Sequence, residues 1–276
     1  MTRPRLVAHT VVRNEECWVW YALRSALPFV DQILVWDTGS VDRTVPIIKS
    51  IHSPKLKFRT VPLTPDESAL SRTRQRMLQS TRAGWLMILD GDEVWPESSL
   101  KQIVDFIAEK GRNYDSIIVP TLNCVGDIFH ICSQKSGHYK IAGQIGHYNL
   151  RFINLHRVKG LHVSNLPGKL QGYFDGHGVQ VQDRDHRRIA FLDAPYLHLT
   201  HLTRSRQRRN ETAVYWRAVK KRIELGLPMP ENFVYPQVFR LSAPAGSAFP
   251  WTRRSRAYVL AAHLFRPARS LKRLFF

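Results

Sequence analysis

WLMILDGDE, residues 85–93, sets five apolar side chains directly before three acids and a glycine. An unbroken apolar run of this length suits a strand buried on both faces. The Asp90-Gly91-Asp92 step beyond it turns one carboxylate inward and carries the next past the strand end, and Gly91 leaves room for a ligand to come close. Oxygen-only donors in this pattern suit a hard cation, Mg²⁺ or Mn²⁺, bridging a diphosphate. A plainer description is a surface turn whose acids cap the helix after Pro96.

Outward from this run, strands and helices alternate. Leu6–Val12, Ile33–Trp36, Leu56–Val61 and Ser116–Pro120 read as strands. Between them, Glu15–Leu27, Val45–Ile51, Ser68–Ser80 and Leu100–Ile107 carry helical spacing. The alternation predicts an α/β fold with a mostly parallel sheet and helices on both faces. Ligands of such sheets bind beyond the carboxyl ends of the strands.

Three strand ends are acidic: Arg13-Asn14-Glu15-Glu16, Asp37 to Thr44 (DTGSVDRT) and Asp90 to Glu93. Carboxylates crowded on one edge repel unless a cation, or base and ribose donors, neutralise them. Gly39 is expected to make a tight turn and Ser40 or Asp42 to cap a helix, which leaves Asp37 for a base or ribose. One of Glu15 and Glu16 is expected to satisfy a helix N-terminus. Arg74, on the basic helix before the D-x-D strand, stands where it could meet a diphosphate.

The chain has 276 residues, 43% of them hydrophobic, which excludes a disordered or fibrous protein. Its net charge of +19 calls for polyanionic partners. That charge is uneven. Residues 1–120 carry 16 basic and 14 acidic side chains, whereas 203–276 carry 16 and three. Cys17, Cys124 and Cys132 show no metal or disulfide spacing, which favours a reducing compartment. With neither a signal-like apolar stretch nor a run of about 18 apolar residues, a cytoplasmic protein is expected. Residues 203–226 read as a basic helix, and 251–276 interleave seven basic residues with bulky apolar ones and no acid. Such a tail suits the inner face of an anionic membrane, each Lys or Arg contributing about 1 kcal/mol.

HTVVRNEE, ILVWDTGSVDRT and the Arg-rich helix leading to WLMILDGDE together resemble family 2 glycosyltransferases of the GT-A fold, continuously over about residues 5–120. The resemblance implies a nucleotide-diphosphate-sugar donor and places Arg13, Glu16, Asp37, Arg74 and Asp90 on it. It also implies a divalent cation, Mn or Mg, at Asp90 and Asp92, closed by His198 from the Tyr196–His201 segment, with His201 the second choice. Where the family often has Arg-Asn, this chain has Arg74-Gln75. Arg151-Phe152 and Gly160-Leu161-His162 are similar to the acceptor-side segment of bacterial relatives, but Val163 stands where those carry a Glu. Asp175, His162, Glu93 and Asp193 are therefore the candidates for the catalytic base.

The expected organisation is a nucleotide-sugar-binding half (1–120), an acceptor-binding half of the same catalytic domain (121–202) and a basic helical C-terminal extension (203–276). The expected activity is metal-dependent, inverting transfer of a sugar to a hydroxyl of a glycan or lipid-linked acceptor. Two alternatives stand beside it. A nucleotidyltransferase is disfavoured because no Gly-rich phosphate loop with a following Lys lies near the N-terminus. A non-catalytic nucleic-acid binder is disfavoured because no base-reading motif accompanies the basic tail.

Overall fold

A computed structural model describes residues 4–61, 68–137, 139–165, 172–206 and 224–264. Its elements run β1 (Leu6–Val12), α1 (Val19–Ala26), β2 (Gln32–Asp37), α2 (Thr44–Lys49), β3 (Leu56–Thr60), α3 (Ala69–Gln79), β4 (Trp85–Ile88), β5 (Glu93–Val94) and α4 (Glu97–Glu109). There follow β6 (Ser116–Val125), β7 (Asp127–Ile131), β8 (Tyr139–Ile141), β9 (Gln144–Gly146), β10 (Tyr148–Asn154), β11 (His162–Ser164), β12 (Gly172–Phe174), β13 (Ile189–Phe191), β14 (Tyr196–His198) and β15 (Leu227–Pro228).

The apolar runs form the centre of one sheet ordered β15-β7-β6-β10-β4-β1-β2-β3. Strands β3, β2, β1 and β4 are parallel, so Val12 and Asp37 are register partners at one edge and Ile88 ends nearby. Strand β10 runs antiparallel between β4 and β6. The sheet is thus largely parallel on the N-terminal side and mixed beyond β4.

Side-chain alternation decides which helix covers which face. Leu6, Ala8 and Val12 of β1, Ile33 and Val35 of β2, and Trp85 and Met87 of β4 pack into one cluster with Leu23, Ile47, Leu100 and Ile103 of α1, α2 and α4. The intervening residues Val7, Leu34 and Trp36 pack against Met77 of α3. Leu86 and Ile88 do the same with Leu78. Helices therefore lie on both faces, as expected. His9 joins the α3 face with its Nε2 2.6 Å from Thr81 Oγ1, and burial pushes its pKa down to about 3, so it is neutral in the fold.

Two boundaries differ from the sequence reading. Helix α1 begins at Val19 rather than Glu15, because Glu15 and Glu16 are drawn into the turns at the sheet edge. Strand β6 continues past Pro120 to Val125 and pairs with β14, so one sheet crosses the division drawn at residue 120. The C-terminal segment lies on the β6–β7 hairpin: Arg254 N donates to Asp127 Oδ2 at 3.1 Å, and Trp251 packs on Phe129, Tyr235 and Phe239. Residues 256–264 are helical. The greater part of the helix expected over 203–226, and the tail beyond 264, lie outside the described residues.

Candidate active site

The DTGS turn folds back on its own aspartate. Asp37 Oδ2 accepts Gly39 N at 3.1 Å, and both carboxylate oxygens accept Ser40 N at 3.2 Å. Gly39 sits at φ 97°, a conformation that favours glycine. Asp42 Oδ1 accepts Thr44 N at 2.9 Å in the turn that leads into α2, whose N-cap position is Arg43 rather than the expected Ser40 or Asp42. Asn14, at φ 56°, ties β1 to this turn by donating from its N to Ser40 Oγ and accepting Val41 N on Oδ1. Arg13 is exposed at the end of β1.

Glu16 is a stitch. Oε2 accepts Arg43 N at 3.1 Å and Oε1 accepts Arg206 N at 2.7 Å, joining the turn to the segment after β14. Glu15 lies deeper and pairs with Arg204 at 2.8 Å. Its Oε2 is buried without a hydrogen bond, and burial, reinforced by Asp92, pushes its pKa well above the usual carboxylate range. Gly91 is filled from within the protein: a Cβ there would stand 3.0 Å from Val12 Cγ1 and 3.1 Å from Glu15 Cγ. Its lack of a side chain therefore serves the packing of the D-x-D turn onto β1, where the sequence suggested approach of a ligand.

Asp90 sits between two arginines. Arg74 Nη2 is 2.9 Å from Oδ1 and Arg151 Nη1 is 3.4 Å from Oδ2. Burial alone would raise its pKa, but the two guanidiniums hold it well below the usual carboxylate range. Glu93 is fully buried, bonded to Arg151 through Oε1 and accepting Asp90 N at 3.2 Å through Oε2. Its burial outweighs Arg151 and lifts its pKa to about 7. Arg151 also donates from Nε to Tyr196 Oη at 2.9 Å, and Tyr196 stacks on Trp95 with ring centroids 4.4 Å apart.

Asp92 faces His198, with Oδ1 3.6 Å from Nε2, and Arg204 stands 3.9 Å from its other oxygen. Burial opposes both charges, yet each holds the other: Asp92 stays below its ordinary pKa and His198 above. Asn123 Oδ1 lies 3.1 Å from His198 Nδ1, so that nitrogen carries a proton and Nε2 is aimed at Asp92. Among the described residues no set of three His, Cys, Asp or Glu side chains forms a cage. A carboxylate and an imidazole do fit a cation that takes its remaining ligands from a diphosphate and water.

The structure thus brings Asp90, Asp92, Glu93, Arg74 and His198 together, with Asp37 at the same sheet edge. It separates others from this group. Asp175 is buried in a turn, its Oδ1 accepting His177 N and Val179 N and its Oδ2 paired with Arg184. Asp193 is exposed between β13 and β14, and His201 is buried. His162 lies half-buried on β11, with Nδ1 3.1 Å from the Gly160 carbonyl. Gln75, in place of the family's Asn, accepts Val163 N at 2.7 Å and fastens α3 to that strand. Sequence reasoning missed Arg204, which it counted with the basic tail, and gave no role to Arg151, Asn123 or Tyr196.

Parallel strands thus deliver carboxylates to one edge, and a partly buried Asp–His pair lies beyond the fourth strand. Residues 8–174 match the family model described as Glycosyl transferase family 2, and the chain belongs to that family. None of the curated proteins matches the chain. Among solved structures, glucosyl-3-phosphoglycerate synthase from Mycobacterium tuberculosis, in complex with Mn²⁺, UDP-glucose and phosphoglyceric acid, is 17% identical. It aligns over 77% of this chain and 75% of its own, with a TM-score of 0.46. S. aureus TarS 1–349 is 14% identical over 71% of this chain and 60% of its own, with a TM-score of 0.43. The chain spans only 36% of a longer TarS structure.

Proposed function

We propose that this protein transfers a sugar from a nucleotide-diphosphate donor to a hydroxyl acceptor, with a divalent cation held jointly by Asp92, His198 and the donor. The Asp92–His198 pair, with Asp92 buried and His198 half-buried beside the acidic strand ends, carries this reading. A bound Mn²⁺ or Mg²⁺ would supply Lewis-acid stabilisation of the departing diphosphate. Asp37 and Arg13 receive the nucleoside. Asp90, kept ionised by Arg74 and Arg151, accepts hydroxyl donors from ribose or sugar. Glu93 acts from beneath by holding Arg151 and the Asp90 main chain, rather than as a base. Thermal unfolding with UDP, GDP, CMP and dTDP, each with and without Mn²⁺, tests the proposal. One diphosphate should raise the midpoint by roughly 5 °C at about 100 times its Kd, and the greater part of that shift should require the metal. No shift with any of the four would sink it.

The C-terminal segment favours an anionic membrane surface. On the helix 256–264, Ala262 is buried and Tyr258 Oη donates to Glu224 O, while Leu260 and Leu264, one turn apart, are 64% and 72% exposed. Arg256 extends that outward stripe, and residues 265–276 add four basic side chains and no acid. Among the described residues no helix is long and apolar enough to cross a membrane. Leu260→Glu combined with Leu264→Glu should abolish flotation with phosphatidylserine-containing vesicles that carry the unaltered chain. Equal flotation of both would discard the surface.

A further inference from the structure

Along the carboxyl edge of the sheet the acids are turned inward and the bases outward. Glu15, Glu16, Asp37 and Asp92 are buried, whereas Arg13, Arg43, Arg206 and Arg253 are exposed. Two large apolar side chains stand among those arginines. Val41, in the turn after β2, is 54% exposed, and Phe249 is 69% exposed. We propose that this edge is a docking face for an anionic bilayer, with Phe249 and Val41 entering the headgroup layer and the donor site opening at the lipid surface. The inference rests on the membrane reading of the helix 256–264 and adds the face of the domain that turns toward the lipid.

Backbone contacts make the face continuous. Val41 N donates to Asn14 Oδ1 beyond the end of β1. A Cβ on Gly246 would stand 3.0 Å from Arg43 Cδ, so the segment leading to Phe249 runs against the same turn. Ala248 N then donates to Cys17 O at 3.0 Å, and Cys17 N donates to Arg204 O at 2.9 Å. Phe249 therefore adjoins the arginine that pairs with Glu15. Strands β4 and β6 are both antiparallel to β10, so β6 ends at this edge too. Just past it, a Cβ on Gly126 would meet Tyr258 Cε1 at 2.8 Å, which seats the helix 256–264 there with Leu260 and Leu264 outward. The exposed apolar side chains thus follow one edge from the β2 turn to the C-terminal helix.

Charge alone would not select this edge. The opposite one, at the strand starts, presents Arg5, Arg82, Arg112 and Arg188. Among the described residues, however, it carries no exposed large apolar side chain. An arginine near an anionic surface strengthens binding about fivefold, and it does so on either edge. A phenyl ring taken out of water adds roughly tenfold or more, and of the two edges only the active one supplies it.

Flotation and site-directed labelling of the full chain with phosphatidylcholine–phosphatidylserine vesicles test this face. Cys17, Cys124 and Cys132 are buried, so an environment-sensitive dye reports from an added cysteine. On Val41→Cys and Phe249→Cys, vesicles should shift the emission to the blue, and nitroxide-bearing lipid should quench it. On Arg112→Cys neither should occur. Phe249→Glu, with Leu260 and Leu264 unaltered, should weaken partition by about tenfold. Unchanged partition of Phe249→Glu overturns the face. So does a response from Arg112→Cys in place of the other two, or from none of the three in protein that floats, because binding then runs through another surface. A blue shift that appears without lipid and grows with protein concentration also overturns it and makes a second copy of the chain the occupant. If the unaltered chain does not float, the membrane reading falls and this face with it. The transferase reading is decided apart from all of these, by the midpoint shifts with nucleotide and Mn²⁺.

Discussion

Arg151→Met should destabilise the fold by about 3–5 kcal/mol, measured as a fall in denaturant midpoint with unchanged slope. The variant keeps most of the volume but leaves the fully buried Glu93 and one oxygen of Asp90 without their cation, and strips Tyr196 Oη of its Nε donor. The cost grows with pH. A Glu whose folded pKa is raised keeps its stability contribution below its ordinary pKa near 4.5 and loses it as pH rises. In the intact protein that loss ends near pH 7, where Glu93 ionises. Without Arg151 the folded pKa moves higher still, so the deficit should widen by about 1 kcal/mol per unit above pH 7. Glu93→Gln in the same chain should recover most of the loss, because the uncompensated group is then neutral. A deficit below about 1 kcal/mol at pH 8 would mean that water reaches Glu93 and that Asp90 is positioned by other groups.

That arginine shows where the sequence stopped being readable. The parallel strands were legible because each is a short apolar run bounded by polar turns, and the alternation of β1, β2 and β4 assigns both faces without long-range information. The strand-end acids were legible as a group for the same reason. Their separate duties were not. Arg151 meets Glu93 across 58 positions, and Arg204 meets Glu15 across 189, so nothing local distinguishes them from solvated arginines. Asp175 read as a free carboxylate because its engagement by Arg184 and two turn amides depends on how the 172–184 segment closes. Gly91 misled in the opposite direction: glycine after a strand suggests a ligand, yet the space is taken by Val12 and Glu15.

Asp92→Asn should leave the fold intact and lower turnover by about 10³-fold or more, roughly 4 kcal/mol of transition-state stabilisation. The two effects separate because Asp92 contributes unequally to them. In the folded protein it lies near Asp90 and Glu15, both anionic or potentially so, and its attraction to His198 and Arg204 runs over 3.6 and 3.9 Å. Removing one carboxylate relieves repulsion, above all on Glu15, and offsets the lost attraction. The ligand-free midpoint should therefore stay within about 1 kcal/mol of the unaltered protein. Function has no such compensation. Asn is nearly isosteric but offers a neutral oxygen to a divalent ion, and His198 loses the anion that orients its Nε2. The Mn²⁺-dependent part of the midpoint shift with the preferred nucleoside diphosphate should vanish, while any metal-independent binding through Asp37 survives. A variant that is stable, binds nucleotide alone and no longer responds to Mn²⁺ is the signature of a cation shared between Asp92 and the donor. Retention of the metal response would place the cation elsewhere on the acidic edge and leave Asp92 and His198 as an ion pair that only supports β5 and β14.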